Sequence, residues 1–162
     1  MNDSLFMELA LHRARLAPLV GEVPIGAVLV SHNHVIAAAH NYRENSQDPT
    51  AHAEIIVIRK AAEQLKTWRL TDTTLYVTLE PCPMCAGAIV QARIARLVFG
   101  AWDPKAGACG SIIDSPSERR FNHQVQVTGG LREEDSRGLL QEFFRTKRAT
   151  LSEQHRPSKS VS

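Results

Sequence analysis

Two cysteines stand three residues apart in a chain of 162 residues that has only three. Cys82 and Cys85 lie in the segment LEPCPMCAGAIV, where Pro83 precedes a small, apolar run that predicts a helix. Proline suits the first helical turn, and residues at i and i+3 share one face. A helix N-terminus also stabilises negative sulfur. The spacing alone leaves three alternatives open, namely a dithiol redox pair, half of a zinc site, or incidental thiols.

A histidine and a carboxylate upstream favour the metal. The segment AHAE places His52 and Glu54 at a second predicted helix start. One imidazole and two thiolates form a three-ligand zinc set that leaves the fourth tetrahedral position open for water. Residues two apart in mid-helix point about 200° apart, so both can serve one site only if it lies over the first turn. The predicted zinc ligands are therefore His52, Cys82 and Cys85, and the predicted catalytic residue is Glu54.

A simpler interpretation exists for AHAE on its own. It could be a surface histidine followed by a first-turn glutamate that the helix dipole favours. The metal-site interpretation is favoured over this one because PCPMC comes later in the chain, after one predicted helix and one predicted strand.

The elements that must position these residues alternate along the chain. Hydrophobic periodicity and turn residues predict a helix over 4–17, a hairpin of strands over 23–30 and 35–40, a helix over 51–65, a strand over 74–79, a helix from 83 to about 93, strands over 95–101 and within 123–130, and a helix from 133 to about 148. This order predicts an α/β fold, with a mostly parallel or mixed sheet and helices on both faces.

Composition limits the class of protein. A hydrophobic content of 43% is typical of a soluble protein, and we expect one domain over 1–150 and a disordered polar tail over 151–162. The longest apolar runs fall far short of the roughly 20 residues of a membrane span, and the N-terminal segment predicts an amphipathic helix rather than a signal peptide. Three cysteines make a poor disulfide framework, which indicates a cytoplasmic setting. The net charge of +2 permits a nucleic-acid partner without requiring one.

Together these residues spell HxE…PCxxC, the signature of zinc-dependent base deaminases. From about Glu22 to Arg148, the chain closely resembles the bacterial tRNA-specific adenosine deaminases, through EVPIGAVLV, DPTAHAEI, TLYVTLEPCPMCAGAI, KAGACGS, FNHQV and FFRTKR. The signature alone also fits guanine, cytosine, deoxycytidylate and riboflavin-pathway deaminases, whereas the combination, especially the final helix, resembles the tRNA branch. The resemblance implies a three-layer α/β/α fold with a five-stranded mixed sheet, one zinc ion per subunit and a homodimer.

The resemblance also implies a reaction, the hydrolytic deamination of adenosine to inosine at the wobble position of a tRNA anticodon loop. Zinc held by neutral His52 and the two thiolates would lower the pKa of its water toward about 7. Glu54, which is not a ligand in this scheme, would move the proton of that water to N1 of adenine and help to protonate the departing amine. One carboxylate that shuttles a proton needs no second acid.

Four residues are expected near the purine. Asn41 follows the second predicted strand, and the matching family residue hydrogen-bonds the purine or its ribose, although an ordinary turn asparagine is the alternative. The backbone around Ala27 and Val28 and the side chain of Glu22 are placed near the pocket by the resemblance alone.

Two further residues depart from the family pattern. Cys109 lies where relatives often have another small residue, and we interpret it as packing rather than a fourth ligand. Trp102 occupies a position that is often polar or basic. It could be a base-stacking surface, a dimer contact or a hydrophobic substitution.

The final predicted helix carries the signal for an RNA partner. Acidic residues 133–135 lie in its first turn and basic residues in its predicted last turn, as the macrodipole favours. Core packing is expected for at least one of Phe143 and Phe144. The other ring and the basic end would contact an RNA loop, because extruded bases stack on aromatic side chains and phosphates pair with Arg and Lys. The predicted contacts to the tRNA anticodon stem-loop are Phe144, Arg145, Lys147 and Arg148.

Two rival functions share the zinc site. A free-base or nucleotide deaminase, such as a guanine deaminase, would differ only in its substrate-side residues. A zinc-stabilised RNA-binding module without catalysis would have no need of Glu54 beside an open zinc position.

Overall fold

The structure is a computed structural model that describes residues 2–156. Its elements follow the predicted order closely. In chain order they are α1 (Asp3–Leu16), a 3-10 turn (Ala17–Val20), β1 (Gly26–Ser31), β2 (His34–His40), α2 (Arg43–Ser46), α3 (Ala53–Leu65), β3 (Thr73–Leu79), α4 (Pro83–Gln91), β4 (Arg96–Ala101), β5 (Gln126–Thr128) and α5 (Glu133–Gln154).

The five strands form one mixed sheet in the order β2-β1-β3-β4-β5. β1 pairs antiparallel with β2 and β3, whereas β3, β4 and β5 run parallel. β3 is buried along almost its whole length, as expected for a central strand covered on both faces. The expected α/β fold with a five-stranded mixed sheet is confirmed.

Helices cover both faces of this sheet and form two apolar layers. On one face, α1 packs against Val28, Tyr76 and Val98, and α5 adds Leu139 at the edge of that cluster. On the other face, α3 and α4 pack against alternate residues of the same strands, including Ala27 and Val77. The crossover from β3 through α4 to the parallel β4 brings the start of α4 to the carboxyl end of β3. Ligand sites of open α/β sheets lie at such strand ends.

The N-terminus of α1 is fastened to the sheet through one carboxylate. Both guanidinium Nη atoms of Arg96 donate to the two oxygens of Asp3, each at 2.7 Å. The hydroxyl of Tyr76 also donates to Asp3, at 2.7 Å. The Arg96 hydrogen bonds lower the pKa of Asp3, and burial together with the Asp3 bond raises the pKa of Tyr76.

The last helix is longer than the sequence predicts. α5 runs to Gln154, so residues 151–154 are helical rather than part of a disordered tail, and the basic residues near 148 lie in mid-helix rather than in its last turn. Positions 149–154 are all exposed, so no apolar face marks this part of the helix, which is closed by the backbone bond from His155 N–H to the Leu151 carbonyl (3.3 Å). The rest of the predicted tail, from 157 to 162, lies outside the described residues.

Two smaller differences concern the loops. The segment after β2, predicted to be irregular, contains the one-turn helix α2, and β5 has only three residues. Within the described part of the chain, none of the helices combines the length and hydropathy that a membrane crossing requires.

Candidate active site

The predicted metal ligands lie where two helix N-termini meet. His52 is the N-cap residue of α3, and Cys82 is the N-cap residue of α4, with Pro83 in the first turn as predicted. His52 Nδ1 lies 3.7 Å from Cys82 Sγ and 3.5 Å from Cys85 Sγ. All three ligand atoms are within 4.8 Å of one another.

This donor set fits a zinc ion. Tetrahedral zinc with Zn–S bonds of about 2.3 Å and Zn–N bonds of about 2.0 Å would separate nitrogen from sulfur by about 3.5 Å. Among residues 2–156, the donors that come together in this way are those of His52, Cys82 and Cys85. Cys109 is buried outside this group, with its Sγ near the Pro81 carbonyl, as the packing interpretation predicts.

The electrostatics of the two thiols differ. A hydrogen bond from Cys85 lowers the pKa of Cys82 to about 4, and the His52 ring adds to this effect. The same bond and burial raise the pKa of Cys85. The hydrogen bond to Cys82 raises the pKa of His52. A divalent cation at this point would stabilise both thiolates and neutral imidazole.

Glu54 is buried beside the metal ligands. It occupies the first turn of α3, is 3% exposed, and its carboxyl group hydrogen-bonds Cys85. Burial raises the pKa of Glu54 above its ordinary value. A carboxyl group in such a place can hold a proton and release it to a nearby base, which is the property a general acid–base residue needs.

Asn41 joins the end of β2 to the start of α3. Its Oδ1 accepts a hydrogen bond from the Ala53 backbone N–H at 2.9 Å, and the residue is 4% exposed. It also lines the cleft above His52. Among the described residues, no group accepts from its Nδ2 amide, which is therefore available to a ligand.

A cleft of about 630 Å³ opens over Asn41 and His52, within the range of roughly 300–1,000 Å³ that is usual for small-molecule sites. We call it the active-site cleft. Its walls come from the segment before β1, the loop after β2, the loop after β4 and one side of α5. The lining residues are Val23, Ile25, Asn41, Arg43, His52, Leu79, Trp102, Asp103, Pro104, Lys105, Arg137, Leu140, Gln141 and Phe144.

The structure separates the two phenylalanines of α5. Phe144 is 40% exposed and lines the active-site cleft. Phe143 is half-buried and faces another groove, which α5 forms with Pro18 and Pro24. Phe144 is therefore the ring that a ligand in the cleft can touch.

The three basic residues of α5 that the sequence predicts to contact RNA do not line the cleft, whereas Arg137 of the same helix does. Arg145 is ion-paired with Glu142 at 2.6 Å, and Lys147 lines the groove that contains Phe143. Arg148 is exposed and follows Phe144 by four residues, which places it on the same side of the helix.

The residues that the resemblance alone places near the purine were predicted to act through the backbone at Ala27 and Val28 and through the side chain of Glu22. The side chains of Ala27 and Val28 are fully buried, one in each apolar layer, whereas Val23 and Ile25 of the same segment line the cleft. Glu22 is buried and accepts hydrogen bonds from the backbone N–H and side-chain amide of Asn45, both at 2.8 Å. Burial alone would raise the pKa of Glu22, but bonds from the α2 backbone lower it. Glu22 therefore holds α2 in place beside the cleft.

Glu80 is a site residue that sequence reasoning missed. Its carboxylate is 2% exposed and accepts hydrogen bonds from Asp103 N (2.8 Å), Ser111 N (2.9 Å), Ser111 Oγ (2.5 Å) and Cys109 N (3.2 Å). These bonds outweigh the effect of burial and lower the pKa of Glu80. A Cβ on Gly107 would lie 2.2 Å from Glu80 Oε2. The available signal is a glutamate directly before PCPMC.

Comparison with known proteins places this arrangement in a family. Residues 1–148 match the model of the MafB19-like deaminases. A tRNA-specific adenosine deaminase of Bacillus subtilis (strain 168) is 54% identical over 144 residues, which cover 89% of each chain. A solved structure from a study of A-to-I editing by tRNA:A34 deaminases at the wobble position of transfer RNA has a TM-score of 0.81 and 52% identity, over 85% of this chain and 99% of that chain. A guanine deaminase structure from Bacillus subtilis has a TM-score of 0.63 and 35% identity, over 99% of both chains. The chain therefore belongs to the MafB19-like deaminase family and, within the deaminases, to the tRNA-specific adenosine deaminases.

Proposed function

We propose that this protein is a zinc-dependent hydrolase that converts adenosine to inosine at the wobble position of a tRNA anticodon loop. The observation that carries this proposal is the buried Glu54 beside three convergent zinc donors, one of which, His52, lines the active-site cleft. The relatives in the tRNA branch support the choice of substrate.

His52, Cys82 and Cys85 would hold the zinc ion. When bound, zinc lowers the pKa of a coordinated water to about 7 and so supplies hydroxide at neutral pH. Glu54 accepts one proton from the attacking water and delivers it to N1 of adenine as the water oxygen bonds to C6. Glu54 then takes the proton of the new C6 hydroxyl group and passes it to the C6 amine, so that ammonia leaves and the C6 carbonyl of inosine remains. The Nδ2 amide of Asn41 orients the purine or its ribose within the cleft.

The walls of the cleft favour an RNA loop over a free base. Phe144 offers an exposed aromatic face, and Lys105 supplies a cation at the rim for phosphates. Arg137 also lines the cleft, but its guanidinium is paired with Glu133. Chemistry at C6 requires an extruded or unpaired base, which an anticodon loop provides at low cost. Along α5, we assign Arg148 to the phosphates that flank the loop, with Arg145 and Lys147 as outer contacts.

Inosine formation tests the proposal directly. The purified protein is incubated with an RNA hairpin that carries an anticodon stem and loop with adenosine at position 34, and nucleosides are separated by liquid chromatography and mass spectrometry. We expect inosine from the hairpin and no ammonia from free guanine. Ammonia from guanine without inosine from RNA would assign the chain to the free-base deaminases instead.

We also propose a homodimer that acts in the cytoplasm, where tRNA is found. Three exposed apolar side chains, Ile112, Ile113 and Phe121, come from the loop between β4 and β5. A self-association surface of this kind would remove them from water. Analytical ultracentrifugation should give twice the chain mass, and Ile113→Asp should shift the population toward monomer; a monomeric wild-type protein would contradict this part of the proposal.

A further inference from the structure

We propose that Trp102 is a stacking platform for an unpaired nucleobase that neighbours the target base in the RNA. The inference rests on the proposed function, because it requires that the active-site cleft bind RNA. Trp102 lines the same cleft as the zinc ligand His52, yet 42% of the residue is exposed. A large indole that is open to a ligand cleft is a binding surface for a flat aromatic group.

Residues of β4 and of the neighbouring loops pack against the indole of Trp102 and fix its orientation. Its ring meets Phe99 edge-on at a centroid distance of 4.7 Å and an angle of 90°. Gly129 and Gly110 allow the backbone to approach it closely, since a Cβ on Gly129 would lie 2.7 Å from the ring and one on Gly110 would lie 3.0 Å away. A ring supported in this way loses little conformational entropy when a base stacks on its open face.

Glu80 fastens the backbone on both sides of Trp102. The N–H of Glu80 donates to the carbonyl of Ala101 at 2.8 Å, and the carboxylate of Glu80 accepts from the N–H of Asp103 at 2.8 Å. Glu80 precedes the zinc ligand Cys82 by two residues. The position of the indole is therefore fixed relative to the metal ligands through one short stretch of backbone.

The chemistry of this surface selects a nucleobase. An aromatic face accepts any of the four bases, because each has a π-face, and loop bases are unpaired. Extrusion of the target base removes the stacking partner of its neighbours, and a tryptophan in the cleft wall replaces that partner. Lys105, three residues further along the same wall, can neutralise a phosphate of the same strand.

A double-mutant cycle tests the inference by combining a substitution at Trp102 with abasic nucleotides in the RNA hairpin. Dissociation constants are measured for the hairpin and for hairpins with a single abasic nucleotide 5′ or 3′ of the target, in a Glu54→Gln background that prevents turnover. One abasic position should weaken binding by roughly 5- to 150-fold, the range that 1–3 kcal/mol of base stacking on an aromatic side chain corresponds to. Trp102→Leu should cause a similar loss with the intact hairpin and no further loss with that abasic hairpin, while Trp102→Phe should retain most of the affinity.

Trp68 supplies a matched control. It is also exposed, at 53%, but does not line the cleft, so Trp68→Leu should leave every dissociation constant unchanged. In a Trp68→Phe chain, Trp102 is the remaining tryptophan. Its fluorescence should be quenched by the intact hairpin and not by the critical abasic one, which tests the inference without any change at position 102.

Additive losses from Trp102→Leu and the abasic nucleotide, or unquenched fluorescence on binding, would overturn the inference. A shift of Trp102→Leu from dimer to monomer, with hairpin affinity restored at high protein concentration, would instead assign the indole to a subunit contact and would also overturn it. Failure of the proposed function is distinguishable, because wild-type protein would then form no inosine in the same hairpin.

Discussion

Asn41 Oδ1 accepts the backbone N–H of Ala53 at 2.9 Å, and this one bond ties the end of β2 to the first turn of α3. Ala53 stands between His52 and Glu54, the predicted ligand and the predicted proton carrier. Asn41 therefore fixes the helix start that carries both residues, and it also lines the active-site cleft. We propose that its oxygen holds the helix start and that its amide nitrogen contacts the substrate, two roles that substitutions can separate.

Asn41→Asp should preserve the helix start and lose the substrate contact, because aspartate accepts the Ala53 N–H but has no amide donor. We expect stability close to that of wild type and a lower kcat/KM for the hairpin. Asn41→Ala should in addition lower the free energy of unfolding by about 1 kcal/mol, as loss of an N-terminal cap does. Urea unfolding measures the effect on stability, and steady-state inosine formation measures the effect on activity. Full activity in Asn41→Asp would show that Asn41 only stabilises the start of α3 and does not contact the substrate.

Glu54→Gln should keep the fold and the zinc content but lose roughly 10²–10⁴-fold in kcat, the usual contribution of general acid–base catalysis. Glutamine fills the same volume but cannot carry the proton. Glu63→Gln is the matched control, because Glu63 lies on the same helix and is exposed. Turnover of Glu54→Gln within a few-fold of wild type would remove Glu54 from the proton pathway, and loss of zinc would make it a ligand.

Zinc content should equal one ion per chain and depend on the three convergent donors. His52→Ala, Cys82→Ala and Cys85→Ala should each lose zinc and activity, and a chelator should lower the melting temperature of the wild-type protein, because metal binding is coupled to folding. Cys109→Ala is the control: it removes a buried thiol that lies outside the donor group and should retain its zinc. Mass spectrometry measures the number of zinc ions per chain in each protein. Carefully purified wild-type protein without zinc would contradict the prediction.

The sequence predicts the metal ligands and the proton carrier better than it predicts the residues that line the active-site cleft. His52, Glu54 and the two cysteines follow from short spacings at helix starts, where a few residues determine the local geometry. The five strands follow from apolar runs. The cleft walls depend on tertiary contacts that no local pattern encodes, so the roles of Val23, Ile25 and Glu80 emerge only from the fold.

One difference between the sequence-based expectations and the structure has a visible physical cause. The apolar stripe of α5 stops at Phe144 and so predicts a helix end near 148, whereas an exposed helix can continue on backbone hydrogen bonds and good helix formers alone.

The Asp3–Arg96 pair should make stability depend on pH in the acid range. The pKa of Asp3 is lower in the folded chain than in the unfolded one, so its contribution is complete above an ordinary aspartate pKa of about 3.9 and disappears as the pH falls through the folded-state value. Asp3→Asn should therefore melt roughly 2–4 °C lower at pH 7, for a loss of about 1 kcal/mol, and this difference should shrink as the pH falls below the ordinary aspartate pKa.

Glu142→Gln is the matched control for this effect, because it breaks an ion pair with Arg145 in which both side chains are more than 60% exposed. Thermal melts from about pH 2.5 to 7 should show almost no change for it. A melting difference for Asp3→Asn that persists unchanged at the acid end of this range would mean that the carboxylate charge contributes nothing and that the substitution acts through packing.

The basic residues of α5 should contribute unequally to RNA binding. Arg148 lies four residues after Phe144 and shares its side of the helix, Arg145 is already paired with Glu142, and Lys147 lines the groove on the opposite side. Arg148→Ala should raise KM for the hairpin and reduce the slope of log K against log salt by about 0.7, because a single strand releases fewer counterions when one phosphate is no longer neutralised.

Arg145→Ala and Lys147→Ala should change KM and the salt slope less than Arg148→Ala, since their charges are neutralised or directed away from the cleft. Replacement of all three should give the largest slope change, with unaltered zinc content and a kcat at saturation far above that of Glu54→Gln. Inosine formation at several salt concentrations measures KM, kcat and the salt slope in one series, and metal analysis measures the zinc content. Equal slope changes for the three single variants would show that RNA binding depends on the total charge of α5 and not on the side of the helix that carries Phe144. An unchanged slope in the triple variant would show that the phosphates bind elsewhere.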